Sequence, residues 1–153
     1  MIEKKISLID LEQTWDFASK LANITNTGDV ITFNGDLGVG KTTFIKSFIN
    51  KLASEDVEVT SPTFNLLHLY KLEKFEIWHF DLYRIKNKEE IFELGIEDAF
   101  EYGISLIEWP EIIRNILPRD RLEIEISFGE SEFSREIILK AYGTWKNKII
   151  NGI

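Results

Sequence analysis

Gly35-Asp36-Leu37-Gly38-Val39-Gly40-Lys41-Thr42 spell G-x-x-x-x-G-K-T, the spacing of a loop that binds phosphate groups. Its glycines permit a tight turn with successive backbone N–H groups aimed inward, at the α- and β-phosphates of a nucleotide. Lys41 would reach the β- and γ-phosphates, and the Thr42 hydroxyl would ligate Mg²⁺. The candidate nucleotide-binding residues are therefore Asp36, Leu37, Gly38, Val39, Gly40, Lys41, Thr42 and Thr43. The pattern also arises by chance, so its flanks decide. Before it, Asp29-Val30-Ile31-Thr32-Phe33 is a β-branched and aromatic run that reads as a buried strand. After it, apolar residues at Phe44, Ile45, Phe48, Ile49 and Leu52 follow helical spacing. Strand, loop and helix come in the required order, and the helix N-terminus adds partial positive charge behind the phosphates.

Such a loop needs a carboxylate that holds Mg²⁺ from the far side, normally at the end of a buried strand. Glu108 follows Ile104-Ser105-Leu106-Ile107 and is the candidate metal ligand beside Thr42. Asp81, after Ile77-Trp78-His79-Phe80, is the rival acid. It is assigned to orienting the attacking water or supporting the metal, with an ion pair to Arg84 as the alternative. Thr60-Ser61-Pro62-Thr63 stands where γ-phosphate-sensing loops stand, and Thr63 could offer its hydroxyl or carbonyl there. The alternative is a Pro-containing turn whose hydroxyls bond its own backbone. Trp109 directly follows the metal carboxylate, packed partly on the core and placed to meet a partner or a switch loop. His68 and His79 read as core or surface histidines, and no spaced ligand set suggests zinc. Arg84, Arg114 and Arg135 are candidate transition-state arginines by type alone.

Several elements must position these groups. Lys4 to Ile9 reads as a first strand. Asp10 then caps a helix, with Gln13 at the capping-box position and Leu11, Trp15, Ala18, Leu21 and Ala22 as its apolar stripe. Val57 to Thr60 reads as a strand after the P-loop helix. Phe64 to Tyr70 and Phe75 to Phe80 read as a hairpin across Lys71-Leu72-Glu73-Lys74. Lys88 to Leu94 is a short helix ended by Gly95, and Ile96 to Tyr102 another. Gly103 to Glu108 is a buried strand, and Trp109-Pro110 opens a helix to about Leu117. Leu122 to Phe128 and Arg135 to Tyr142 form a late hairpin around Gly129-Glu130-Ser131. The expected fold is a three-layer α/β domain of the P-loop NTPase kind over residues 1–153. Its central sheet is mixed and largely parallel, with antiparallel hairpins added, and ligand lies at the carboxyl ends of the parallel strands.

Composition narrows the class. With 153 residues, 44% hydrophobic and 29% charged, the chain suits one globular domain. No apolar run reaches transmembrane length, and the first residues lack the apolar stretch of a signal peptide. There are no cysteines, which removes disulfides and thiolate chemistry. A cytoplasmic protein fits these features. The net charge of −8, with no dense Lys/Arg block, argues against direct gripping of RNA or DNA and favours a protein partner.

Five ordered segments resemble one family. They are the P-loop through Phe44, Ser61-Pro62-Thr63-Phe64, His79-Phe80-Asp81-Leu82-Tyr83-Arg84, Leu94-Gly95-Ile96-Glu97 and Ile107-Glu108-Trp109-Pro110. Together they resemble the bacterial TsaE (YjeE) ATPases over about Ile6 to Arg135. That family takes part in making N6-threonylcarbamoyladenosine in tRNA. The resemblance implies that Lys41 and the P-loop amides bind ATP, and that Thr42 and Glu108 hold Mg²⁺. It implies that Asp81, Thr63 and Trp109 support hydrolysis or switching, and that Arg135 lies near the nucleotide. Val39 stands where the family often has Ala, a conservative change, and Thr144 to Ile153 matches no motif. The implied partners are TsaB and TsaD, with tRNA contacted only indirectly and hydrolysis resetting the complex between rounds. The absence of an Asn-Lys-x-Asp guanine motif agrees with ATP. Two alternatives keep the same P-loop: a small-molecule kinase, and a nucleotide-gated binding module with little hydrolysis.

Overall fold

The structure is a computed structural model that describes all residues from Met1 to Ile153. Seven strands form one sheet in the order β1-β7-β6-β2-β5-β4-β3. They are β1 (Ile2–Leu8), β2 (Val30–Asn34), β3 (Leu67–Lys71), β4 (Glu76–Asp81), β5 (Ile104–Glu108), β6 (Arg121–Phe128) and β7 (Arg135–Tyr142). β6, β2, β5 and β4 run parallel to one another; β7 and β3 run against them, and β1 joins at the edge by pairing antiparallel with β7. The mixed sheet with a parallel centre and antiparallel hairpins is the one expected.

Burial follows pairing. β2 and β5 are apolar or small on both faces because both faces are covered, as parallel strands require. β6 and β7 alternate, burying Leu122, Ile124, Ile126, Ile137, Leu139 and Ala141 on one face only. On the covered face of the whole sheet lie α1 (Leu11–Asn23), α2 (Lys41–Leu52) and α5 (Trp145–Gly152). α3 (Glu89–Glu93), α4 (Ile96–Tyr102) and a 3₁₀ helix (Pro110–Ile116) cover the opposite face of β2, β5 and β4, where Val30, Phe80 and Ile107 are buried. The third layer thus exists over the parallel half. The other face of β1, β7 and β6 carries polar pairs such as Lys140 with Glu125 at 3.1 Å.

Asp10 caps α1 as read, accepting from the Gln13 N–H at 2.9 Å, but the reciprocal bond is shifted by one residue: the Gln13 side chain accepts from the Ile9 N–H, at 2.9 Å. The stripe of α1 is rotated from the expected one. Thr14 and Phe17 are buried with Ala18, Leu21 and Ala22, while Trp15 is 45% exposed. Contact with α2 sets this face, through the Phe17–Phe44 ring pair at 5.9 Å, and Phe44 in turn packs on Phe33 of β2 at 5.5 Å.

Four other expectations change. Val57 to Thr60 is not a strand; its backbone pairs with no neighbour, and the segment is pinned by side chains. The Val57 N–H donates to Asn50 Oδ1 at 2.7 Å, and the Thr60 carbonyl lies 3.2 Å from His68 Nδ1. Phe64 lies in a turn and is 83% exposed, so β3 begins at Leu67. The helix after Pro110 is of the 3₁₀ kind. The C-terminal segment, which matched no motif, forms α5 and buries Trp145 and Ile149 in the main core. No helix is long and apolar enough to cross a membrane.

Trp145 is fully buried in the main core, with the Lys148 ammonium 4.6 Å from its ring centre. Trp145→Ala should cost about 3–5 kcal/mol of stability and lower the melting temperature by ~10 °C. Thermal unfolding followed by circular dichroism checks this; a shift of a degree or two would mean that α5 lies outside the cooperative unit.

Candidate functional site

Register places the chemistry. Phe33 of β2 and Asp81 of β4 both pair with Glu108 of β5, so three parallel strands end at one level. The P-loop leaves β2 at this level, at the carboxyl edge where open α/β sheets bind ligands. The period of 2 along a strand then sorts the side chains. Ile77 faces the α1–α2 layer, so His79 and Asp81 do too, and Ile104, Leu106 and Glu108 share that face.

Inside the P-loop, Gly35 is required by close approach. A Cβ there would sit 2.6 Å from the Ile126 carbonyl oxygen and 2.8 Å from Val39 Cγ1. Gly40, at φ 113°, occupies the left-handed region as N-cap of α2 and offers no side chain to the helix amides. The first N–H groups of α2 are therefore available to an anion. Lys41 is buried, and its ammonium donates to the carbonyls of Gly35 and, at 3.1 Å, Asp36. It also lies 4.2 Å from the centre of the Trp109 ring. Burial holds this ammonium below the ordinary lysine range, against the opposing pull of Glu108, Asp81, Asp36 and Glu111.

Across the cleft, Thr42 Oγ1 lies 3.3 and 3.5 Å from the two Glu108 carboxylate oxygens. His79 Nε2 lies 2.7 Å from Glu108 Oε2 on the buried side. Asp81 Oδ2 accepts from Thr63 Oγ1 at 3.1 Å and Ser61 Oγ at 3.5 Å, while its Oδ1 accepts from the Tyr83 N–H at 3.0 Å. The ion pair to Arg84 does not form; Arg84 lies over the Phe64 ring instead, at 4.8 Å. Trp109 adopts φ 56° and rests against Tyr83, with ring centres 4.9 Å apart.

Leu37, Gly38, Gly40, Lys41, Thr42, Thr43, Thr63, Asp81, Glu108 and Trp109 thus line one cleft of about 230 Å³, together with Ser61. Three expected residues, Val39, Asp36 and Arg135, stand apart from it. The Val39 side chain is buried in the core, and Asp36 lines a separate surface depression with Glu125. Arg135 lies behind the loop, where its Nε donates to the Val39 carbonyl at 2.7 Å. There it lines a second pocket of about 300 Å³ with Leu11, Phe44, Phe133 and Ile137, which shares Gly38, Gly40 and Thr43 with the first.

The Thr42 hydroxyl and the Glu108 carboxylate are hard oxygen donors facing one another, as Mg²⁺ prefers. No cluster of three or more His, Cys, Asp or Glu could hold a metal unaided. The residues therefore fit a cation whose remaining ligands are phosphate oxygens and water. Sequence reasoning placed Ser61 in the sensing loop without giving it a contact, and missed His79 and Tyr83 as members of the site. The signal for His79 was available: it sits two residues before Asp81 on a strand, hence on the same face.

The family model described as "Threonylcarbamoyl adenosine biosynthesis protein TsaE" matches residues 8–137. A tRNA threonylcarbamoyladenosine biosynthesis protein TsaE from Rickettsia bellii is 43% identical over 132 residues, covering 86% of this chain and 92% of the relative. Its counterpart from Bacillus subtilis is 37% identical over 145 residues, covering 94% and 89%. The crystal structure of Bacillus subtilis YdiB superposes with a TM-score of 0.78 at 30% identity, covering 97% of this chain and 93% of that one. With most of its length matched by one family in sequence and in fold, the chain belongs to the TsaE family of tRNA threonylcarbamoyladenosine biosynthesis proteins.

Proposed function

We propose that the chain binds ATP with Mg²⁺ in the 230 Å³ cleft and hydrolyses it slowly, in the service of threonylcarbamoyladenosine formation on tRNA. The observation that carries this reading is the convergence of Lys41, Thr42, Thr63, Asp81 and Glu108 on one cleft at the N-terminus of α2. In this reading the P-loop amides and Lys41 bind the phosphates, and Thr42 and Glu108 hold the cation. Bound Mg²⁺ supplies charge neutralisation on the β- and γ-phosphate oxygens. Asp81, tied to Thr63 and Ser61, orients the attacking water and couples it to the loop that would sense the γ-phosphate. The half-apolar pocket behind the P-loop, with Arg135 at its edge, suits the nucleoside end of the ligand.

Lys41 is the cation of the cleft lining. Transition-state charge beyond what one lysine and the amides neutralise is left to a partner, so hydrolysis by the chain alone is slow. TsaB- and TsaD-type proteins are the partners in this reading. The net charge of −8 leaves RNA contact to them. Exposed Leu37 and Phe64, 65% and 83% accessible beside the cleft mouth, offer apolar surface to such a partner.

Phosphate release from ATP should be slow for the chain alone, rise when TsaB–TsaD is added, and vanish in Lys41→Ala. Phosphate appearing instead on a small-molecule acceptor would establish a kinase. Asp81→Asn should lower the partner-stimulated rate by ~10²–10⁴ with ATP affinity preserved; a fully active variant would remove Asp81 from the water-orienting role.

A further expectation concerns pH. Burial depresses the Lys41 pKa, and bound phosphates would raise it again by placing negative charge beside the ammonium. Binding between the depressed pKa of the free ammonium and the ordinary lysine value should therefore take up protons, and affinity should fall as pH rises through that window. Calorimetric titration in buffers of different ionisation enthalpy measures both; proton release on binding would place Lys41 away from the phosphates.

A further inference from the structure

His79 is fully buried on β4, one strand period before Asp81, and its Nε2 stands 2.7 Å from Glu108 Oε2. Thr42 Oγ1 reaches the same oxygen from the cleft side at 3.3 Å. A carboxylate oxygen accepts, so Nε2 must carry the proton. The other ring nitrogen, Nδ1, is buried without a hydrogen-bond partner. A lone pair is cheaper to leave unpaired in the interior than an N–H group. The hydrogen-bond inventory therefore assigns a neutral ring protonated at Nε2.

Such a ring gives Glu108 a hydrogen bond without cancelling its charge. A lysine there would neutralise the carboxylate, and an aliphatic side chain would leave Oε2 unpaired on its buried side. We propose that His79 is a positioning residue: by donating from Nε2 it holds the Glu108 carboxylate in the orientation that faces Thr42, ready to ligate the divalent cation of a bound nucleotide. This rests on the reading of the cleft as a Mg²⁺–ATP site. The physical warrant is that metal-ligating carboxylates are themselves held by hydrogen bonds, and that loss of such support weakens metal binding by about 10–100-fold.

The test is calorimetric titration of the full chain with ATP, in EDTA and across a series of Mg²⁺ concentrations. His79→Gln, His79→Asn and His79→Leu are compared with wild type, and thermal unfolding checks that each is folded. A glutamine amide reaches the position of Nε2, whereas an asparagine amide reaches only that of Nδ1. All variants should bind ATP equally in EDTA. His79→Gln should keep the wild-type response to Mg²⁺, while His79→Asn and His79→Leu need about 10–100-fold more Mg²⁺ for the same gain in affinity. If His79→Leu does not fold, the Gln and Asn pair decides alone. Asn responding like wild type, or Gln as impaired as Asn, overturns the inference while leaving the ATP site standing. A wild-type chain whose ATP affinity ignores Mg²⁺, with Glu108→Ala equally indifferent, overturns the functional reading and this inference with it.

Discussion

Glu108 is a carboxylate buried at the end of a strand whose every residue is buried, and the site is organised around keeping that charge. An unpaired buried carboxylate would neutralise or unfold its surroundings. Here His79 holds it from beneath, Thr42 reaches it across the cleft, and the Lys41 ammonium lies in the same field. The cost is shared, since Lys41 is itself pushed toward its neutral form by burial. In the proposed reading, phosphates and a divalent cation would relieve both ends at once.

The parallel sheet makes this arrangement possible. Because β5 lies between β2 and β4, the P-loop, Glu108 and Asp81 leave the sheet at one level, although they are far apart in the chain. The second helical layer covers only these strands, and the antiparallel half manages with one covered face. Rigidity is thus concentrated where the carboxylates sit. Strain is stored there too: Trp109, a bulky residue in the left-handed region, costs on the order of 1–3 kcal/mol. In that conformation its ring lies against Lys41 and Tyr83.

The loop between α2 and β3 behaves differently. Its extended Val57 to Thr60 segment takes no sheet partner, and its far end is attached through the Ser61 and Thr63 hydroxyls to Asp81. Val59, buried in the main core, fixes the near end, so any freedom is confined to the far end that the Ser61 and Thr63 hydroxyls hold. The same carboxylate that would steer water therefore also anchors the loop.

Much of this was legible in the chain. The G-x-x-x-x-G-K-T spacing, the strand before it and the helical apolar period after it specify a local unit whose geometry depends on near neighbours. The Asp10 cap of α1 and the alternation of β6 and β7 are local in the same sense. What depends on distant contacts was not legible. Trp15 is exposed because the face of α1 is set by α2, and Val57 to Thr60 is held by side chains and takes no place in the sheet. α5 carries no motif, and only the space beneath α1 shows what Trp145 is for. The sequence by itself determined the phosphate loop and the two acids, because their chemistry resides in residue type and local spacing. Only the tertiary structure decided that His79 meets Glu108, that Asp81 binds the Thr63 loop and not Arg84, and that Arg135 lies behind the P-loop, because those outcomes depend on strand register and on side chains brought together from far along the chain.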